Sequence, residues 1–363
     1  MYYLYVSTDN TEDAFRLFTI LNDRGIPLSN ADILKSINIG EISEEDLDEY
    51  SKHWEYLEEK YHKGFDRFLS FVRTILLKNK PSSNLLDEYE KNIYQKNILK
   101  KGKNTIDFLI ELDGIYDKII DLNDENLSNE YKNLVTIMKL GLHSDEWIPT
   151  VLSYFLKFEY YNLDEFIKKL EYKFIGDLMS NVSPSKRREN LNNIIKTIEI
   201  VSKENIDILF ENRELFDIDK NIFRKNINGD IYGKKYTKYL LLKMEYLMND
   251  NSVYLSNYKE ISIEHVLPQN PLKKSHWRRD FTEEQRKLWT NKLSNLVLIS
   301  NKKNVKLANL DFKKKKEEYL KNRMDVFNSS KIFLDKSSKW DETNLRNRQN
   351  IMVNMLINNK YSE

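Results

Sequence analysis

Residues 263–269 of this chain read IEHVLPQ, which places an acidic residue, Glu264, directly before a histidine, His265. The surrounding residues are apolar and typical of a short β-strand. A second apolar segment, LSNLVLIS, occupies residues 293–300, and Asn304 follows it where a helix is predicted to begin. Two short strands and a helix are therefore predicted to bring the acid–histidine pair close to a downstream asparagine.

These residue types at this spacing indicate metal-assisted cleavage of a phosphodiester. His265 is the candidate base, because a neutral imidazole accepts a proton readily near neutral pH. Glu264 and Asn304 are the candidate metal ligands, since carboxylate and amide oxygens suit Mg²⁺ or Mn²⁺. Asn295 is predicted to lie on the second strand and to hold the loop that carries His265 by hydrogen bonds across the hairpin. A single histidine or asparagine would more often be structural, so the hypothesis depends on the combination.

A basic segment surrounds this pattern. Residues 271–325 contain 16 lysines and arginines but only 7 aspartates and glutamates, whereas the whole chain has a net charge of +1. A cation-rich surface next to the candidate base is what a polyanionic substrate requires, although a solvated basic helix would have the same composition. Several of these cations are candidates for contacting phosphates. Lys303 is predicted to lie close to the cut and to belong to the catalytic residues. The predicted DNA-binding residues are Lys306, Lys315, Arg278 and Arg279.

Composition excludes several other classes of site. The chain has no cysteine, which removes disulfides, thiolate zinc sites and cysteine nucleophiles, and it agrees with a cytoplasmic location. No apolar run approaches the roughly 20 residues of a membrane-spanning helix, so no membrane partner is expected. Charged residues make up 32% of the chain, and 40% are hydrophobic, enough for a substantial core.

The rest of the chain has the periodicity of helices. Apolar residues recur at helical spacing in two stripes that are predicted to be core, Phe68, Phe71, Val72, Ile75 and Phe166, Leu170, Phe174, Leu178. Ser29, with Asp32 three residues on, predicts the start of a helix, and Pro184 predicts a break in the helical body. We predict a mainly α protein, in which a large helical body carries a small ββα-metal unit, of the HNH or His-Me finger type, near the C-terminus. The predicted domains are residues 1–45, 46–250 and 251–363. Within the last of these, strands are predicted at 261–267 and 295–299 and a helix at about 302–321.

The segments around the acid–histidine pair resemble a known family. The segments IEHVLPQ, LSNLVLIS and ANLDFKKK, with Lys303-Asn304 between the last two, are similar to the nuclease domain of GmrSD-type, modification-dependent restriction endonucleases. That family has an E-H-I-x-P-Q motif, an L-G-N-L-x-L-L strand, a following Asn and an F-x-x-K. Here Ser294 stands where the family usually has Gly. The resemblance implies an endonuclease with a divalent metal, and DNA, including modified phage DNA, as the substrate.

A second resemblance lies near the N-terminus, in the segment around Phe18 and Asn22. These residues match the F-x-x-x-N motif that ends the ParB-like, nucleotide-hydrolysing domain of the same family. They are therefore weak candidates for nucleotide binding. The family's earlier D-G-Q-Q-R motif is absent from this chain, so residues 1–45 are interpreted as the remnant of that domain. The resemblance thus implies a missing domain or a separate nucleotide-hydrolysing subunit as a partner.

Three hypotheses follow. The first is a metal-dependent DNA endonuclease of a GmrSD-like anti-phage restriction system. The alternative is a truncated or split subunit that binds DNA or a partner and has no activity until a nucleotide-sensing component joins it. The third is an RNA-cleaving toxin, because phosphate contacts by themselves do not distinguish RNA from DNA.

Overall fold

The computed structural model describes residues 29–249, 261–321, 327–335 and 339–360. Most of these residues are helical and only two short strands occur among them, which confirms the predicted mainly α fold class. The chain divides into two compact units, residues 1–121 and 122–363. Within the described ranges, no helix combines the length and the apolar character needed to cross a membrane.

The described residues of the first unit form a group of helices, and the helix start predicted at Ser29 is confirmed. Ser29 caps the first helix, and its side chain and that of Asp32 form the reciprocal hydrogen bonds of a capping box. The predicted core stripe that includes Phe68 and Val72 is buried. The helices of this unit are α1 (Asn30–Ile39), α2 (Leu47–Tyr61), α3 (Phe65–Leu77), α4 (Leu85–Asp87), which continues as a π-helix (Glu88–Tyr94), and α5 (Lys103–Ile119).

The second unit begins with a helical layer in which the predicted stripe of Phe166, Leu170 and Phe174 is fully buried. Pro184, predicted to mark a break, occupies the first position of a new helix, where proline needs no hydrogen-bond donor. The helices are α6 (Asn129–Gly141), α7 (Ile148–Phe158), α8 (Leu163–Met179), α9 (Pro184–Ile200), α10 (Asp207–Phe210), α11 (Arg213–Phe216), α12 (Lys220–Ile227) and α13 (Thr237–Met248).

The C-terminal part of this unit contains the two strands as an antiparallel pair, in which Glu264 lies opposite Val297 and His265 lies opposite Leu296. Two short helices lie between the strands. The elements are β1 (Ile261–His265), α14 (His276–Asp280), α15 (Glu283–Trp289), β2 (Leu296–Ser300), α16 (Asn301–Leu307), α17 (Phe312–Leu320) and α18 (Glu342–Asn358).

The predicted helix at 302–321 is wrong as a single element. It is divided into α16 and α17 at Ala308, whose φ of 35° lies outside the helical region. Both strands were correctly placed, but β1 ends at His265 and β2 begins at Leu296. The break matters for the site, because each of the two helices contributes one contact to β1, Asn304 from α16 and Lys315 from α17.

The hairpin has two distinct faces because side chains alternate along a strand. Ser262 and Glu264 share one face with Val297 and Ile299. This face belongs to a buried cluster that also contains Leu307 of α16 and Tyr319 of α17. The opposite face carries His265. The helices that follow β2 therefore cover the face that bears the predicted metal ligand.

Some of the sequence predictions fall outside the described residues. The nucleotide-binding candidates Phe18 and Asn22 do so, as does the boundary predicted at residue 250. The three predicted domains accordingly stay predictions.

Candidate active site

His265 is the last residue of β1, and its imidazole is enclosed by two residues from distant parts of the chain. The side chain is 9% exposed. Its Nε2 lies 3.3 Å from Oδ1 of Asn291, and the ring of Tyr232 approaches edge-on at 4.2 Å between centroids. Burial lowers the pKa of His265 to about 4; the hydrogen bond with Asn291 opposes this effect and the charge of Lys315 adds to it. The imidazole is therefore neutral near neutral pH, as a base must be.

Asn291 connects the histidine to the loop that precedes α13. Its carbonyl oxygen accepts hydrogen bonds from the backbone N–H groups of Ile231 and Tyr232, at 2.8 and 3.2 Å. Its Oδ1 faces both His265 and the Nε2 of Gln269, the latter at 3.4 Å. Neither Asn291 nor Tyr232 was predicted from the sequence. Asn291 looks like any asparagine after a helix, and Tyr232 is more than 30 residues from the motif.

Glu264 lies on the covered face of the hairpin and is 4% exposed. Its Oε1 accepts a hydrogen bond from Nζ of Lys315 at 2.5 Å, and the same ammonium donates to the carbonyl oxygen of His265 at 2.7 Å. Burial raises the pKa of Glu264, and the charge of Lys315 acts against this shift. Burial likewise lowers the pKa of Lys315, against the effect of Glu264.

Lys315 therefore does not have the DNA-contacting position predicted for it. Its side chain is 0% exposed, and its ammonium is held by a carboxylate and a carbonyl oxygen. A lysine in this state has no surface to present to a phosphate. The error arose because four consecutive lysines, residues 313–316, look like one solvated face, whereas the turn of α17 directs Lys315 inward.

Asn304 lies on α16 and contacts the same face of β1 as Glu264. Its Nδ2 donates to Oγ of Ser262 at 2.6 Å, and Ser262 and Glu264 are two residues apart on one strand, or about 7 Å. With Nδ2 used in this way, the polar atom that Asn304 can offer to a cation is Oδ1. Carboxylate and amide oxygens together fit a hard divalent ion.

This donor set is small. Among the described residues, no group of three or more histidine, cysteine, aspartate or glutamate side chains is arranged to hold a metal ion. An ion at Glu264 and Asn304 would therefore take its remaining ligands from water and from substrate phosphate, as Mg²⁺ commonly does. His265 belongs to the opposite face of the strand from these two residues, but it is the final residue of β1, where the chain leaves the sheet.

Asn295 makes the hydrogen bonds that were predicted for it. Its Oδ1 accepts from the backbone N–H of Leu267 at 2.8 Å, and its Nδ2 donates to the carbonyl oxygen of Leu267 at 2.9 Å. Nδ2 also donates to Thr290, and Nε1 of Trp340 donates to Oδ1. Asn295 thus holds the loop after His265, although it lies in a 3₁₀ turn (Leu293–Asn295) just before β2 and not within the strand.

The other candidate cations divide into buried and exposed groups. Lys303 is buried, and its Nζ donates to the carbonyl oxygens of Tyr319 and Lys321 at the end of α17. This placement corrects the prediction that Lys303 acts at the cut. Lys306, Arg278 and Arg279 are exposed, as a DNA-contacting role requires. Arg278 also donates to the carbonyl oxygen of Pro271, and Arg279 pairs with Asp280.

Part of the second unit matches a known protein family. Residues 216–355 match the family described as GmrSD restriction endonucleases, C-terminal domain. No curated protein matches the chain significantly. The match includes the hairpin, α16, α17 and every residue placed at the candidate site, from Tyr232 to Trp340. Residues 216–355 of this chain are therefore similar to the C-terminal domain of GmrSD restriction endonucleases.

Proposed function

We propose that this protein is a metal-dependent DNA endonuclease of the HNH type, acting in a GmrSD-like anti-phage restriction system. The observation that carries the proposal is the buried imidazole of His265 at the end of β1, directly after Glu264 and held by Asn291, within residues that match a restriction endonuclease family. DNA is the proposed substrate, with modified phage DNA as the proposed target. A nucleotide-hydrolysing subunit or domain is the proposed partner.

His265 would take a proton from the attacking water. If Nε2–H donates to Oδ1 of Asn291, then Nδ1 carries the lone pair that accepts this proton. Tyr232 packs against the ring, and Asn295 fixes the backbone that follows it. Asn291 and Asn295 therefore act as positioning residues, and neither needs to touch the DNA.

Glu264 and Asn304 are the residues that would hold a divalent ion, Mg²⁺ or Mn²⁺. Such an ion, when bound, supplies positive charge to the phosphate that is cut. Lys306, Arg278 and Arg279 offer exposed positive charge in the same domain, where they can bind phosphates on either side of the cut. These contacts would give affinity for the backbone and no sequence preference.

The proposal is tested by plasmid nicking in Mn²⁺. Replacing His265 by alanine should lower the nicking rate by about 10²-fold or more, the usual contribution of a general base. Asn291→Ala should lower the rate while leaving DNA affinity unchanged, because Asn291 orients the base only. His143→Ala, which changes an exposed histidine of the same unit, is the matched control and should nick like the parent protein.

Each outcome of this experiment distinguishes the hypotheses. Equal nicking by the parent and the His265→Ala protein would refute the assignment of the base. A parent protein that binds DNA but never nicks it, even with Mn²⁺, would favour the alternative of a subunit that is silent without its partner. Preferential cutting of RNA over DNA would favour the toxin hypothesis.

A further inference from the structure

The negative charge of Glu264 is already neutralised within the protein. Lys315 Nζ contacts Oε1 of Glu264 and the carbonyl oxygen of His265, so one ammonium touches both residues of the acid–histidine pair. The lysine is 0% exposed, and its pairing does not depend on solvent or on a mobile surface chain. A buried ion pair of this kind is screened little by salt.

This pairing affects the predicted metal ligands directly. Glu264 and Asn304 provide one negative charge in total, because the amide of Asn304 is neutral. With the ammonium in contact, that charge is cancelled at the position where a divalent ion would need it. A second buried ammonium, that of Lys303, lies on the adjacent helix α16, and it donates to carbonyl oxygens at the end of α17. Glu264, Asn304 and Lys315 together therefore carry no excess negative charge, and Lys303 adds none.

We propose that Lys315 is a built-in counter-ion that keeps divalent-ion binding at Glu264 and Asn304 weak until a DNA phosphate arrives. The inference rests on the proposed function and adds its regulation. The phosphate brings the negative charge that the protein lacks at this face, so ion and DNA bind cooperatively. Lys315 is a positioning residue in this scheme, since it acts through Glu264 and not on the DNA.

Cooperative binding has a useful consequence for the cell. A nuclease whose metal site is filled only on DNA does not carry a loaded site while it is free. By thermodynamic linkage, the factor by which DNA tightens ion binding equals the factor by which the ion tightens DNA binding. The same coupling can therefore be measured from either side.

The test measures Mn²⁺ affinity by electron paramagnetic resonance, with and without a short linear DNA duplex. All proteins carry His265→Ala, which prevents cutting and keeps the backbone carbonyl that Lys315 contacts. Lys315→Met should bind Mn²⁺ without DNA at least ~10-fold more tightly, a modest effect for removing one charge at close range from an ion in a protein interior. The additional tightening by DNA should shrink in this variant.

Two further proteins make the result specific. Lys314→Met removes the neighbouring, exposed lysine of α17 and should leave Mn²⁺ affinity unchanged. Adding Glu264→Gln to Lys315→Met should remove the gained affinity, because the gain is assigned to that carboxylate. A gain that survives Glu264→Gln, or one equally large in Lys314→Met, would overturn the inference.

Lys315→Met leaves a buried carboxylate uncompensated, and this change could unfold the domain. A second measurement therefore uses the protein that retains Lys315. In the protein that retains Lys315, DNA should tighten Mn²⁺ binding at least ~10-fold if the charge argument holds. Equal affinity with and without DNA overturns the inference. If Glu264→Gln leaves Mn²⁺ binding to the DNA complex unchanged, the proposed metal site itself is wrong. If Glu264→Gln abolishes that binding but a folded Lys315→Met shows no gain, only the counter-ion role is wrong.

Discussion

Several charged residues of this protein are buried as pairs, and two of these pairs join parts of the chain that are far apart in sequence. Glu171 pairs with Lys243, and Glu264 pairs with Lys315. Such pairs contribute little net stability, because the loss of hydration offsets their attraction. Removing one partner is costly, however, since the other is then left as a buried charge without compensation.

The first unit also contains a buried ion pair, between Arg73 and Glu88. This pair predicts how the free energy of unfolding depends on pH. Glu88 is 1% exposed and accepts hydrogen bonds from Arg73 and from Ser82 and Ser83. Burial raises its pKa, but the bonds with Arg73 and Ser82 outweigh this and hold the pKa at about 2, below its ordinary 4.5. Because the folded-state pKa is depressed, the stabilisation is complete above pH 4.5 and is lost as the pH falls towards 2.

Glu88→Gln should therefore destabilise the protein at neutral pH, by about 2–3 kcal/mol for a broken buried pair. The difference in unfolding free energy between parent and variant should shrink as the pH falls from 5 to 2, with urea denaturation as the measurement. Asp48→Asn, in an exposed pair, is the control and should cost little at any pH. A difference that stays constant across this pH range would contradict the assignment.

At the scale of elements, short polar signals set where helices begin. Ser29, Ser128 and Ser183 each accept a hydrogen bond from a backbone N–H in the first turn of the helix they precede. Ser300 does the same for α16, and Thr282 for α15. Ends and breaks are less visible in the sequence, as the division between α16 and α17 at Ala308 illustrates.

Ala308 has φ of 35° and ψ of −127°, a conformation that glycine adopts with less strain than alanine. Ala308→Gly should therefore stabilise the second unit by up to about 1 kcal/mol, which raises the melting temperature by about 2–4 °C in a domain of this size. Ala308→Val should lower it, because β-branching adds crowding at positive φ. Calorimetry of both variants is the measurement. Stabilisation by valine, or equal effects of the two changes, would show that strain at this position is absent.

At the scale of the whole molecule, the family match begins inside a compact unit. Residues 216–355 match the family, but the second unit spans 122–363. Helix α13 packs closely on α6: a Cβ added at Gly141 would lie 2.5 Å from Cα of Tyr239. The elements of the matched domain therefore share a core with the helices that precede it.

This shared core predicts how fragments behave. A fragment of residues 122–363 should unfold cooperatively, because it retains both layers. A fragment of residues 216–363 should aggregate or remain molten, since buried residues of α13 such as Tyr239 and Leu240 lose their partners. Near-ultraviolet circular dichroism and thermal unfolding distinguish the two. A well-folded shorter fragment would indicate that the family domain is autonomous.

The sequence by itself determined the order of elements at the site, the acid–histidine pair at the end of a strand, and the hydrogen bonds of Asn295. These features depend on local periodicity, turn chemistry and fixed spacing, which neighbouring residues encode. Only the tertiary structure decided that Lys303 and Lys315 point inward and that Asn291 and Tyr232 enclose His265. A lysine on a helix is buried or exposed according to what packs against that turn. Which elements pack against a given turn depends on contacts between residues up to about 50 positions apart in the sequence, and no local pattern specifies those contacts.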